Sequence, residues 1–305
     1  MQWTKLGRIS AGDGYAAWAS TYAAAPIVEP ISGHAVRVYF SARDAGGRSH
    51  IGVGELDLDH PSDGLHVRPD PVLGPGCPGA FDESGVTSSC MVAREGRHFL
   101  YYTGWTRGAT VPFYFYAGLA VSEDGGGSFV RVSRAPILDR SEVDPFLTAS
   151  PWVLVEDGLW RMWYVSGVRW DTTLEGLRHL YHIKYAESRD GIAWTRRGWV
   201  SVDVASPEEY AFGRPCVLKD ADGVYRMWYS VRGPRYRIGV AESSDGLTWT
   251  RMDDGVGIDV SESGWDSEMI EYPVVFDHAG RRYMLYNGNG YGRTGMGLAV
   301  LNEPS

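Results

Sequence analysis

The chain is poor in the features that mark secreted, membrane-bound or zinc-knuckle proteins. Its 3 cysteines, Cys77, Cys90 and Cys216, are an odd set with no close pair. That excludes a disulfide framework and a zinc knuckle and fits a reducing cytoplasm. Cys90 and Cys216 lie in apolar, strand-like runs, where an inert buried thiol is expected. Met1 to Gly14 lacks the basic-then-apolar pattern of a signal peptide. No stretch approaches the roughly 18 apolar residues of a membrane span, so the expectation is a cytoplasmic protein with no membrane partner. Lysine and arginine form no run, and the formal net charge is −9, which makes nucleic acid a poor partner. No His, Asp and Glu set has the spacing of a zinc site. No G-x-S-x-G elbow or phosphate-cradling glycine loop is present, so neither metal nor cofactor is expected. The glycine-rich Gly288 to Gly292 lies between strands and reads as a rim loop.

What is abundant is aromatic. The 12 Trp and 18 Tyr in 305 residues suit β-strands and sugar-stacking surfaces equally. One phrase recurs five times: VRVYFS from Val36, HFLYYTG from His98, WRMWYVSG from Trp160, YRMWYS from Tyr225 and RYMLYNG from Arg282. The copies start about 55 to 65 residues apart, a spacing in the range of four-stranded propeller blades.

Each copy sits in a fuller unit. An apolar strand precedes it, usually entered through proline (Pro26, Pro151, Pro215, Pro273, with Cys90 in that place in the second unit). A third strand follows, as at His50, Tyr116, His182 and Arg237. A turn, usually built on Asp-Gly, then feeds a fourth strand; Asp-Gly favours the positive-φ turn that matches strand twist. The fifth unit stops at its third strand, Gly295 to Glu303, and Gln2 to Gly7 reads like its missing fourth. The sequence therefore predicts an all-β, five-bladed β-propeller of four-stranded antiparallel blades, closed by the N-terminal strand. One domain is expected, with blades near 15–70, 80–138, 144–202, 208–255 and 265–303 plus 1–8.

In such a ring, the segments leading into the first strands reach one mouth. Seven residues before the strand-entry position stand Ala19, Glu83, Asp144, Glu208 and Asp266, with Asp82, Glu209, Glu268 and Glu271 nearby. Carboxylates converging on one rim raise one another's pKa and can supply a neutral acid beside an ionised base. Singly, each could equally cap a turn or pair with an arginine. A second column, Arg43, Arg107, Arg169 and Arg232 with Arg293 later, follows the second strands; it either neutralises the acids or forks a carboxylate, phosphate or vicinal hydroxyls. Arg214 directly precedes a first strand and should point into the channel. Trp3, Trp194 and Trp249 recur on outer strands as packing. Trp18, Trp105, Trp170, Tyr210, Trp265 and Tyr272 lie in rim segments, where they stack on sugars or simply pack. His50 and His182 begin third strands and are either structural or ligand contacts.

With its MWYS and AESxDGxxW phrases at Met162, Met227, Ala186 and Ala241, the chain resembles the five-bladed propeller glycosidases, glycoside hydrolase families 43, 32, 68, 117 and 130. The resemblance spans nearly the whole chain and implies carboxylate acid/base chemistry. Families 43 and 32 place aspartates where this chain has Ala25 and Ser89-Cys90, and an acid where it has Ala149. The family's Glu-x-Pro pattern is matched only by Glu271-Tyr272-Pro273. The leading expectation is a carbohydrate-active enzyme acting on a glycosidic bond at the central mouth of the propeller. Glu271 or Glu268 would be the acid and Asp266 or Asp144 the base, with Arg43, Arg214 and Tyr272 orienting a small-molecule or oligosaccharide ligand. The alternatives are a phosphorylase of the family 130 kind, a non-hydrolytic sugar-binding or saccharide-biosynthesis propeller, and a protein-interaction scaffold.

Overall fold

Aromatic and β-branched residues put each recurring phrase into extended backbone. Both faces of the resulting strand are buried: within Leu159–Thr173, every residue from Trp160 to Gly167 is inaccessible. A strand covered on both sides belongs in a sheet sandwiched between two others. The computed structural model of the protein describes residues 1–10, 13–174 and 176–302, and they form a five-bladed β-propeller.

Blade I comprises Ala19–Ser32, Ala35–Arg43, Ser49–Asp57 and His66–Val67. Blade II comprises Gly85–Arg94, Arg97–Arg107, Phe113–Ser122 and Val130–Arg131. Blade III has Thr148–Glu156, Leu159–Thr173, Gly176–Ser188 and Thr195–Val202, and blade IV has Ala211–Lys219, Tyr225–Arg232, Tyr236–Ser243 and Thr250–Arg251. Blade V takes Glu271–His278, Arg281–Asn287 and Met296–Leu301, and its outer strand is Trp3–Ser10, paired antiparallel with Met296–Leu301. Glu303, the expected end of that third strand, lies outside the described residues. A short strand, Asp13–Ala16, extends the entry to blade I. A parallel bridge, Ser49 to Gly85, joins blades I and II. The first strands touch in sequence, I on II through to V on I, so the ring closes and these strands surround its axis. No helix among the described residues is long and apolar enough to cross a membrane.

Two repeated devices hold the ring. In the turn before each fourth strand of blades III and IV, a serine and an aspartate cap the chain: Asp190 Oδ1 accepts the Ile192 and Ala193 N–H groups, and Asp245 Oδ1 those of Leu247 and Thr248. The preceding blade then donates to that turn's glycine carbonyl. Tyr39 O–H reaches Gly126 (3.2 Å), Tyr101 O–H reaches Gly191 (2.8 Å) and Trp163 Nε1 reaches Gly246 (2.9 Å). Trp228 holds the same place in blade IV, but blade V has no such turn because its fourth strand comes from the other end of the chain. Its Nε1 is buried without a partner.

Candidate active site

The second device involves the acidic column. Tyr102 O–H donates to Asp82 (3.0 Å), which also takes Arg131 Nε (2.7 Å). Asp144 accepts from Tyr164, Ser166, Lys184 and Arg196. Asp266 accepts from Lys5 (2.7 Å) and Tyr286 (3.1 Å). In blade IV the work is divided: Tyr229 donates to Asp253 (2.6 Å), and Arg251 bridges Asp253 and Glu209. Each acid thus ties the entry of its blade to the second and fourth strands of that blade. The structure does not bring Asp82, Asp144, Glu209 and Asp266 to one another. Blade I lacks both halves of the tie. Phe40 replaces the tyrosine and Ala19 the acid, and Trp18 packs on Phe40 (5.8 Å) with its Nε1 on the Pro69 carbonyl. That ring lies so close over Gly52 that a Cβ there would sit 1.9 Å from it.

The remaining expected residues are dispersed. Glu83 accepts the Gly79 N–H (2.5 Å). With Arg107, Arg48 and Gly76 it borders a cavity of about 280 Å³ between blades I and II. Glu268 is exposed and engaged through its backbone. Arg43 lies over Tyr22 (4.8 Å) and Trp105 (5.6 Å), and Arg169 pairs with Asp171 (2.7 Å). His182 is held 3.7 Å from Asp203, its pKa lowered by burial and then by Lys184.

Glu271 is different. It opens the first strand of blade V opposite Asn287 and is wholly buried, yet both carboxyl oxygens lack a hydrogen-bond partner. Burial drives its pKa well above the ordinary 4.5; the neighbouring Asn287 amide and the Arg232 charge oppose this but do not prevail. Asn287 Nδ2 is itself unpartnered, so that amide lies beside the carboxyl without a well-formed bond. Removing a carboxyl from water with no charge-stabilising donors favours its neutral, protonated form.

The backbone here is unusual in a repeated way. Ala25, Ser150, Arg214 and Tyr272 each precede the strand-entry proline, and each has a left-handed φ, from 44° at Arg214 to 55° at Ala25. Residues before proline favour extended backbone, so these bulges must be held by their surroundings. Three are. Ala25 N–H donates to Asn287 Oδ1 (3.0 Å), Ser150 N–H to Thr103 Oγ1 (2.8 Å) and Tyr272 N–H to Ser230 Oγ (2.7 Å), each acceptor lying on the preceding blade. Arg214 is the exception. Its side chain crosses from blade IV to the Pro26 carbonyl of blade I and the Ser89 carbonyl of blade II (3.2 Å). Nε and Nη1 are buried and unpartnered, and burial lowers its pKa to about 10.

Around Glu271 gather side chains from blades III to V. Tyr236 and Tyr272 lie with ring centroids 6.2 Å apart, and Tyr291 lies 6.1 Å from Tyr236. Arg232 donates to Tyr291 O–H (2.6 Å) and lies over Tyr210, Tyr236 and Tyr291. On the adjoining hairpin His179 stacks on Tyr181 (4.1 Å), and burial lowers the His179 pKa to about 4, keeping it neutral. The Tyr181 hydroxyl is also buried without a partner. Of the sequence-derived candidates, the structure groups Glu271, Tyr272, Arg232 and Tyr210. The sequence reading missed His179, Tyr181, Tyr236, Tyr291 and Asn287. One available signal was the asparagine of RYMLYNG, where the other phrases carry Ser41, Thr103, Val165 and Ser230. Among the described residues, no group of three His, Cys, Asp or Glu side chains is placed to hold a metal ion.

The fold is that of known glycoside hydrolases. A solved complex of BT0996 with RGII superimposes with a TM-score of 0.72 at 19% identity, covering 99% of this chain and 93% of that one. A thermostable family-43 glycoside hydrolase gives 0.69 at 16% identity, over 93% and 90% of the two chains. A glycosyl hydrolase from Bacteroides ovatus gives 0.70 at 16%, over 98% and 91%. No family model matches the sequence. Two proteins of Mycobacterium tuberculosis are far closer in sequence. The uncharacterized protein MT1551 of strain CDC 1551 / Oshkosh is 47% identical over 303 residues, and the uncharacterized protein Rv1502 of strain H37Rv is 46% identical over 303. Each alignment covers 99% of this chain and all of the relative, so the chain belongs to one family with these mycobacterial proteins, with the fold seen in those glycoside hydrolase structures.

Proposed function

We propose that the protein acts on a glycosidic bond, with Glu271 as the proton donor. The observation that carries this reading is a fully buried carboxyl with no hydrogen-bond partner, set among tyrosines that offer flat faces to a sugar. Its proton would pass to the departing oxygen as the bond to the anomeric carbon breaks, the bonding pair staying on that oxygen. A water or phosphate oxygen would form the new bond to carbon. Among the described residues, Arg232 is the charged group that acts on Glu271. The resemblance's usual base positions hold Ala25 and Ser89. No carboxylate pairs with Glu271 among the described residues to activate the incoming nucleophile, which leaves hydrolysis with a more remote carboxylate taking the proton from water, or phosphorolysis, in which the phosphate oxyanion needs no base.

A second reading, a sugar-binding propeller without turnover, draws on the same vacated positions. One experiment separates the two. Glu271→Gln keeps the shape and removes the proton. Assayed on a panel of aryl glycosides and disaccharides, with and without phosphate, it should lose at least about a hundredfold in turnover with no loss of melting temperature. Wild-type protein that binds glycans but turns over none of them would favour the binding module.

A further inference from the structure

We infer that the saccharide taken at this mouth carries an anionic group, a carboxylate or a phosphate ester, received by the Arg232 guanidinium. The inference rests on the proposed glycosidic site and names its substrate class.

Arg232 ends the second strand of blade IV and is half-buried. Apart from Arg214, whose side chain is spent on backbone carbonyls of blades I and II, the other arginines comparably withdrawn from water have acids: Arg161 pairs with Glu156, Arg226 and Arg282 with Asp220, and Arg251 with Glu209. Arg232 has only tyrosine hydroxyls as partners, and among the described residues no carboxylate pairs with it. Glu271 does not fill that role: both its carboxyl oxygens are without a hydrogen-bond partner, so neither bonds to the guanidinium. A second cation stands close by: Arg178 lies 4.9 Å over the same Tyr210 ring that Arg232 covers at 5.3 Å. The acid nearest Arg178 is Asp171, 3.9 Å away and already bonded to Arg169 at 2.7 Å. Two guanidiniums over one ring, with less than one carboxylate between them, leave this patch positive on a chain of net charge −9.

A partly desolvated cation without a counter-charge is unfavourable. The tyrosine faces supply some compensation through their π-electrons, and an oxyanion held by the fork would supply more. Of the rings around the guanidinium, Tyr236 is buried, while Tyr291 is exposed and Tyr210 partly so; a pyranose or furanose face would lie on those two, so anion and sugar are read together. The arginine's bond to Tyr291 O–H is its one readily exchangeable contact, since that residue is exposed on a loop.

The test is calorimetric titration of the full chain with glucuronate, galacturonate and glucose 6-phosphate, each against its neutral parent sugar, and with inorganic phosphate alone. At least one acidic sugar should bind about tenfold more tightly than its parent. Arg232→Met should abolish that advantage and Arg232→Lys should keep part of it, with both variants melting like the wild type. If Arg232→Met does not fold, Arg232→Lys alone must still shrink the advantage. The inference is overturned if no acidic sugar outbinds its parent, or if Arg232→Met folds and retains the preference. It is also overturned if inorganic phosphate binds as tightly as the sugar phosphate, which would assign the arginine to a free anion. Glu271→Gln separates this from the catalytic reading: it should keep the anion preference while turnover falls, and turnover that survives it sinks the role of Glu271 without touching Arg232.

Discussion

Asn287 Oδ1 accepts the Ala25 N–H at 3.0 Å across the seam where blade V meets blade I. The bond fixes a left-handed residue on the axis and turns the other face of the same amide toward Glu271. Asn287→Ala would strand a buried N–H, which costs about 1–3 kcal/mol. Asn287→Ser, the residue blade IV uses for the same tie, should recover part of the loss. Urea denaturation of the three proteins measures both. Equal midpoints for wild type and the alanine variant would show that the seam does not depend on this bond.

Glu271 makes stability depend on pH with a definite sign. Its folded pKa lies well above the unfolded value near 4.5. Below that value both states carry the proton and the group has no effect. As pH rises above it the unfolded chain ionises while the folded one does not, so stability falls until the folded pKa is reached. Glu271→Gln cannot ionise and should flatten this fall, leaving the variant at least as stable as the wild type at pH 7 and indistinguishable from it near pH 4. Melting temperatures recorded across that window decide the matter. A variant less stable than wild type throughout would mean that the carboxyl makes a favourable contact.

Much of the ring was legible because it is periodic. The five phrases mark the second strands, the Asp-Gly turns mark the approach to the fourth strands of blades III and IV, and the likeness of Trp3 to Trp194 placed the N-terminal strand in blade V. The site was legible in part. Glu271 stood out through Glu-x-Pro, but that pattern could not tell that it, rather than Asp144 or Asp266, is left unpaired. Glu271 opens its first strand while Asp144 and Asp266 lie a few residues before theirs, and what separates them chemically is the presence of Lys184, Arg196 or Lys5 on a strand far along the chain. The tyrosine cluster was legible only in part: Tyr210 and Tyr272 lie in rim segments, and Tyr181 and Tyr236 hold the same place at the head of two third strands, YHIKYAES and YRIGVAES, but Tyr291 lies outside the repeated strands and nothing in the spacing joins the five. They meet only through the curvature of the ring.

Asp144 tests whether the acidic column is architecture. It is buried and accepts from Tyr164, Ser166, Lys184 and Arg196. Asp144→Asn leaves the buried Lys184 ammonium without its acid, a change that typically costs about 3–5 kcal/mol. The expected result is a large drop in denaturation midpoint, with any residual activity per folded molecule near normal. A stable variant with activity selectively lost would instead return Asp144 to the chemistry as a base.

Trp163 and Trp228 form a matched pair for measuring what the missing fifth turn costs. Both rings are fully buried at the same place in adjacent blades. Trp163 Nε1 donates to the Gly246 carbonyl at 2.9 Å, while Trp228 Nε1 has no acceptor. Replacing either by phenylalanine removes similar apolar area and leaves a similar void. Trp163→Phe removes one of two donors to the Gly246 carbonyl, which keeps Trp249 Nε1 at 3.1 Å, whereas Trp228→Phe removes a donor that was buried without a partner. A buried polar group left unpaired costs about 1–3 kcal/mol, a penalty that the Trp228 variant sheds. Trp228→Phe should therefore be the milder substitution by a margin of that order, read from chemical denaturation of the two variants. Equal losses would mean that a water or a carbonyl already serves the Trp228 N–H, and that the join between the two ends of the chain carries no such penalty.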